Sequence, residues 1–162
     1  MIVPLVRIGF ILSWLTVYFI PNKTVKRYLP ASTMAALLVT TLVFIGTPFN
    51  FWKVKGGPKT RIYNILSVIL GPFSVGTLWI FHLTFGRFWL YVLTNLFQNL
   101  IYAFPIITFF DKINFIKYVK FNRIHHIIAS MSFSLIIYGF QSFLEKPISS
   151  GLRLFNKEAL KK

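Results

Sequence analysis

Residues 88–110 read FWLYVLTNLFQNLIYAFPIITFF, with no Asp, Glu, Lys or Arg. A helix needs only ~20 apolar residues to cross a hydrocarbon core about 30 Å thick. Soluble cores rarely contain uncharged runs of this length. Working outward, four further apolar runs occupy residues 2–20, 29–47, 62–85 and 124–144. The first is interrupted only by Arg7, near enough to the run's end for its side chain to reach headgroups. The second carries Pro30, expected in the first turn, where a missing N–H is harmless. The pattern predicts an all-α integral membrane protein. About five transmembrane helices form one small bundle over residues 1–147, and residues 148–162 form a basic amphipathic tail, interfacial or disordered.

Composition points the same way. Of 162 residues 56% are apolar and 13% charged, against roughly a quarter charged in soluble domains. The charge is one-sided, with 18 Lys and Arg against 3 acids and a net charge of +15. Such a balance suits nucleic acid or anionic headgroups beside a membrane. The cations lie between the apolar runs rather than on one domain face, so the expected partners are membrane lipids, preferentially anionic, and no nucleic acid. Lys53, Lys55, Lys117, Lys120 and Arg123 are the expected headgroup contacts. Cysteine is absent, which excludes disulfides, thiolate metal sites and cysteine redox chemistry. No charged leader precedes the first run and no small-residue cleavage site follows it, so that run is expected to persist as a span.

The connections fit this layout. Lys23, Lys26 and Arg27 fill the first, and Trp52, Lys53, Lys55, Lys59 and Arg61 surround the turn at 56–58 in the second. Aromatic residues at the run edges, such as Trp14, Trp79 and Trp89, suit interfacial belts. Spans three and four should form a tight hairpin at Gly86-Arg87. Orientation is not decided, because five spans put nine Lys and Arg on each side, a tie under the positive-inside rule. If Gly71-Pro72 broke the third run into a re-entrant hairpin, the count would become eleven against seven. Residues 111–123 mix Lys112, Lys117, Lys120 and Arg123 with Ile113, Phe115, Ile116, Val119 and Phe121, and read as a basic amphipathic piece lying on the membrane.

Chemistry is sparse. In the fourth run Tyr91, Thr94, Asn95, Gln98, Asn99 and Tyr102 recur at three- and four-residue steps, so they share one helix face. At 1.5 Å per residue the stripe is about 16 Å tall. Amides exposed to lipid would each cost several kcal/mol, so this face should turn inward. Asn64, Ser67, Gly71, Ser74 and His82 offer a matching face on the third run, and His126, Ser130, Ser134, Tyr138 and Gln141 on the fifth. The expected result is a polar seam between spans three, four and five. It could be structural glue, a pocket for a ligand or partner, or a catalytic site. Catalysis lacks paired carboxylates, and an ion-coupled carrier would usually show a mid-span charge. No catalytic residue, metal site or cofactor is expected. His125 and His126 point about 100° apart on a helix, which suits headgroup contact better than chelation.

The loop Trp52-Lys53-Val54-Lys55-Gly56-Gly57, Ile69-Leu70-Gly71-Pro72, and Ala103-Phe104-Pro105 followed by Asp111-Lys112 resemble an uncharacterised family of small multi-span membrane proteins from spore-forming Firmicutes. That resemblance implies a bacterial cytoplasmic membrane and supplies no activity. The functional expectation is therefore a non-enzymatic membrane protein binding lipid headgroups, a membrane protein partner or a second copy of itself through the seam. A small oligomeric transporter or channel subunit is the alternative. A lipid-modifying enzyme using His82, His125 or His126 is the third reading.

Overall fold

A computed structural model describes residues 2–55 and 57–159, with side chains described as far as Lys146. Five helices are long and apolar enough to cross a membrane: α1 (Ile2–Phe19), α2 (Asn22–Gly46), α3 (Gly57–Thr84), α4 (Phe88–Lys112) and α5 (Arg123–Lys146). The last belongs to a helix assigned to Ala159; of the tail at 148–162, side chains and residues 160–162 lie outside what is described. Two short strands, β1 (Trp52–Lys53) and β2 (Lys117–Tyr118), pair antiparallel between the helices.

α2 starts at Asn22 rather than at 29. The N–H groups of Thr24 and Val25 donate to the Pro21 carbonyl at 2.8 and 3.0 Å, so Pro30 lies inside the helix and not in its first turn. Lys23, Lys26 and Arg27 make the opening turns polar, which hydropathy reads as loop although Lys and Arg are good helix formers.

α3 runs unbroken through Gly71-Pro72. Proline lacks an N–H and crowds the carbonyl four residues back, and α3 absorbs this by widening into a π-turn at Ile69–Phe73. Side chains take up the carbonyls there. The Trp14 indole N–H donates to Leu70 O at 2.7 Å, and the Ser74 hydroxyl to Ile69 O at 2.9 Å. α3 therefore does not double back, and the eleven-to-seven count loses its basis. α1 lies close over this turn. A Cβ on Gly71 would sit 2.5 Å from the Phe10 carbonyl oxygen. α4 repeats the device, with Pro105 inside a π-turn at Tyr102–Ile106.

The two ends of the bundle are built differently. At one, Arg7 of α1 donates through Nε to Asn64 Oδ1 at 2.7 Å near the start of α3. The strand pair sits at the same end, in the register Trp52↔Tyr118 and Lys53↔Lys117. At the other, Arg27 of α2 pairs with Glu145 of α5, and Gly86 at φ +88° makes the tight turn from α3 to α4. This alternation of ends is what successive antiparallel crossings require.

Residues 111–123 form no continuous helix. Asn114 turns with φ 55°, β2 follows, and Phe115, Ile116 and Phe121 are buried against the protein. Phe115 and Ile116 thus join the bundle's own core beside Val68, Ile107 and Phe110, while Val119 is exposed. Elsewhere the helices carry large apolar side chains outward, among them Leu5, Phe44, Trp89, Phe97 and Phe143. Water-soluble monomers rarely expose contiguous apolar surface on this scale.

A polar cavity between the helices

α4 places Tyr91, Asn95 and Asn99 one turn apart on its inner face, at 2%, 8% and 6% exposure, while Leu93 and Phe97 point outward at 60% and 67%. The inner face meets α5 through a chain of hydrogen bonds. The Tyr91 hydroxyl donates to the Ser134 carbonyl at 2.8 Å. Asn95 Nδ2 donates to the Tyr91 carbonyl at 2.8 Å, and its Oδ1 lies 3.0 Å from the Ser134 hydroxyl. That hydroxyl has a single proton and also lies 2.8 Å from Ser130 O, so the two acceptors share it.

Two amides of the stripe are left open. Asn99 Nδ2 reaches only the Met131 sulfur, at 3.6 Å, a weak acceptor. Gln98, half-buried, makes no hydrogen bond among the described residues. Both line a cavity of about 50 Å³ between α4 and α5, closed by Ala35 and Val39 of α2 and by Phe73 and Thr77 of α3. At ~10–15 Å³ per water, that is room for a few waters.

A second cavity of about 80 Å³ shares Val39, Phe73, Ser130 and Phe133 with the first. It lies between the two π-turns, under β1 and β2. Tyr102 stacks on His126 with ring centroids 4.8 Å apart. His126 Nδ1 is 3.0 Å from the Tyr118 hydroxyl and its Nε2 is 3.4 Å from the Ser130 hydroxyl. Burial, reinforced by Tyr102, pushes the Tyr118 phenol well above its ordinary range. The Trp52 indole N–H is buried with no acceptor. Buried donors without partners are uncommon and each calls for an explanation.

The structure divides the residues that the sequence grouped. Tyr91, Asn95, Gln98, Asn99 and Ser134 come together, and Tyr102 borders the second cavity. Asn64 and Ser67 lie elsewhere. Asn64 is fully buried, accepts from Arg7 and donates to the Phe115 carbonyl at 2.7 Å, while Ser67 donates to Asn64 O at 2.8 Å. Asn64 thereby fastens α1 and the 111–118 segment to α3, and the Ser67 bond stays within α3. Gln141 is at the far end, donating to Arg27 O and to Glu145, each at 3.1 Å. The seam is therefore an α4–α5 feature that α2 and α3 close mainly with apolar side chains.

Of the expected headgroup cations, Lys53, Lys55, Lys117, Lys120 and Arg123 are all exposed. Lys117 lies 3.5 Å from Asp111, and Arg123 binds Thr108 Oγ1 at 2.9 Å and stands over the Phe104 ring. His125 accepts weakly from the Asn122 N–H at 3.4 Å, and the Asn122 side chain caps α5 by accepting from the His125 N–H at 2.8 Å. His82 packs edge-on against Trp79. Among the described residues no three His, Cys, Asp or Glu side chains gather. Sequence reasoning aligned His126 with Ser130 but missed Trp52 and Tyr118, which only the pairing of two distant loops brings beside them. No family model, curated protein or solved structure matches the chain.

Proposed function

We propose that this chain is a multi-pass cell-membrane protein that binds a lipid headgroup or a membrane protein partner through the polar cavity between α4 and α5, without catalysing a reaction. One observation carries the reading. Tyr91, Asn95 and Ser134 satisfy one another, whereas Gln98 and Asn99 present amides to an interior cavity with no adequate protein partner. The bonded trio needs nothing from these two amides, which leaves them available to a ligand's polar groups inside the cavity. The outward apolar faces support membrane insertion, and the exposed cations around β1 and β2 support contact with anionic lipid. The proposed location, taken from the family resemblance, is a bacterial cytoplasmic membrane.

The test is native mass spectrometry of the protein extracted gently from its host membrane, comparing it with a Gln98→Leu/Asn99→Leu variant. The reading expects a defined lipid or protein adduct that the variant loses while staying inserted and folded. An adduct kept by the folded variant would remove the cavity from the account. A small oligomeric carrier is the second reading, favoured by the two proline π-turns beside the cavities, because such turns recur where helices rearrange for function. Solute flux into sealed vesicles supports it, and absence of flux across a broad solute panel counts against it.

A further inference from the structure

Trp52 is a wall shared by two spaces of opposite character. Inward lies the mostly apolar cavity of about 80 Å³. On its other side is an open cleft of about 450 Å³ lined by Asn50, Lys53, Arg61 and the first turn of α3 at Gly57 and Pro58. Among the described residues no acid lines this cleft. The two acids with described side chains are engaged elsewhere, Asp111 with Lys117 and Glu145 with Arg27.

The strand pair concentrates the charge further. Its register sets Lys53 directly opposite Lys117, and like charges facing across a ladder are destabilising. Asp111 offsets only Lys117, at 3.5 Å. Lys53 therefore stands beside Arg61 with no counter-ion of its own among the described residues. Trp52 is held in place from behind. Its six-membered ring fills the space a Cβ on Gly46 would need, and its buried N–H has no acceptor in the protein. The cleft thus presents two cations and the Asn50 side chain beside a fixed indole, a setting that suits the phosphate of a headgroup at the membrane surface.

We infer that the Asn50–Lys53–Arg61 cleft beside Trp52 binds the phosphate of one anionic membrane phospholipid. The inference rests on the proposed lipid-binding reading and names a lipid class and a place for it distinct from the α4–α5 seam.

The full chain is reconstituted in nanodiscs containing phosphatidylglycerol and phosphatidylcholine, and retained lipid is counted by native mass spectrometry. Phosphatidylglycerol should be retained in preference. Removing both cations in Lys53→Gln/Arg61→Gln should weaken that retention by about fivefold for each charge lost. Lys23→Gln/Lys26→Gln removes the same charge at the opposite end and should leave retention unchanged. Equal losses in both double variants would show a net-charge effect and overturn the site, as would equal retention of the two lipids. Displacement of phosphatidylglycerol by millimolar inorganic phosphate would make the cleft a free-anion site and overturn the lipid assignment. A lipid lost in Gln98→Leu/Asn99→Leu but kept in Lys53→Gln/Arg61→Gln would overturn the cleft while leaving the seam reading intact; the reverse pattern supports the cleft.

Discussion

Gly71→Ala should loosen the bundle where α1 crosses α3. A Cβ at this position meets the Phe10 carbonyl oxygen at 2.5 Å, its carbon at 2.9 Å and the Phe10 Cβ at 2.9 Å. Two of these atoms are backbone, so no rotamer change relieves the contact and α1 must move. The movement also threatens the 2.7 Å bond from Trp14 to Leu70 O, which closes a carbonyl of the π-turn. Forcing an extra methyl into a packed site costs about 1–3 kcal/mol. The same change favours the helix itself by roughly 0.5–1 kcal/mol relative to glycine. Gly139→Ala separates the two effects, because nothing lies within 4 Å of a Cβ there while the helical gain is similar. The difference between the variants should therefore be about 1–3 kcal/mol in favour of Gly139→Ala. Reversible unfolding in mixed micelles titrated with a denaturing detergent measures it. A Gly71→Ala protein as stable as Gly139→Ala would refute the close packing of α1 on the π-turn.

Other substitutions probe the remaining joints. Asn64→Leu leaves the Arg7 Nε–H and the Phe115 carbonyl without their partner, and at about 1–3 kcal/mol for each unsatisfied group its unfolding midpoint should fall well below that of Ser67→Ala. Asn95→Leu should destabilise the protein more than Gln98→Leu in the same unfolding titration, because Asn95 bonds both Tyr91 and Ser134 whereas Gln98 bonds none of the described residues; equal losses would contradict the division of the stripe into bonded and open amides. Glu145→Gln removes a pair whose Arg27 side chain is 53% exposed, so the loss should stay within about 1 kcal/mol and shrink as salt screens the charges, as unfolding at two ionic strengths would show.

The helices were legible because lipid-facing helices are apolar over their whole length, and 62–85 and 88–110 fall within a few residues of α3 and α4. Hydropathy fails where a helix is polar and still a helix, as in α2 from Asn22. At Pro72 the uncharged run is the better guide, because the widened turn accommodates the proline that alone suggested a re-entrant break. The inward stripe of α4 was legible for a related reason, since amides have a strong reason to avoid lipid. What each amide bonds to was not. Asn64 looks from its spacing like part of a face that meets the stripe of α4, yet Arg7 and the Phe115 carbonyl claim it. The 111–123 segment has the composition of an interfacial helix, but Asn114 turns the chain and its aromatic residues find a core to cover. Pairings between distant loops, such as Trp52 with Tyr118, leave no local periodicity to read.

The central claim is five antiparallel membrane crossings, with the strand-paired loops together at one end. The natural chain contains no cysteine, so each single Cys variant carries one reporter. Lys55→Cys, Lys120→Cys, Lys23→Cys and Arg87→Cys are each treated in sealed right-side-out vesicles with a membrane-impermeant maleimide. The account predicts that positions 55 and 120 react alike and positions 23 and 87 behave oppositely, whichever side proves to be inside. Labelling of 55 and 120 from opposite sides, or of 23 and 55 from the same side, would contradict it.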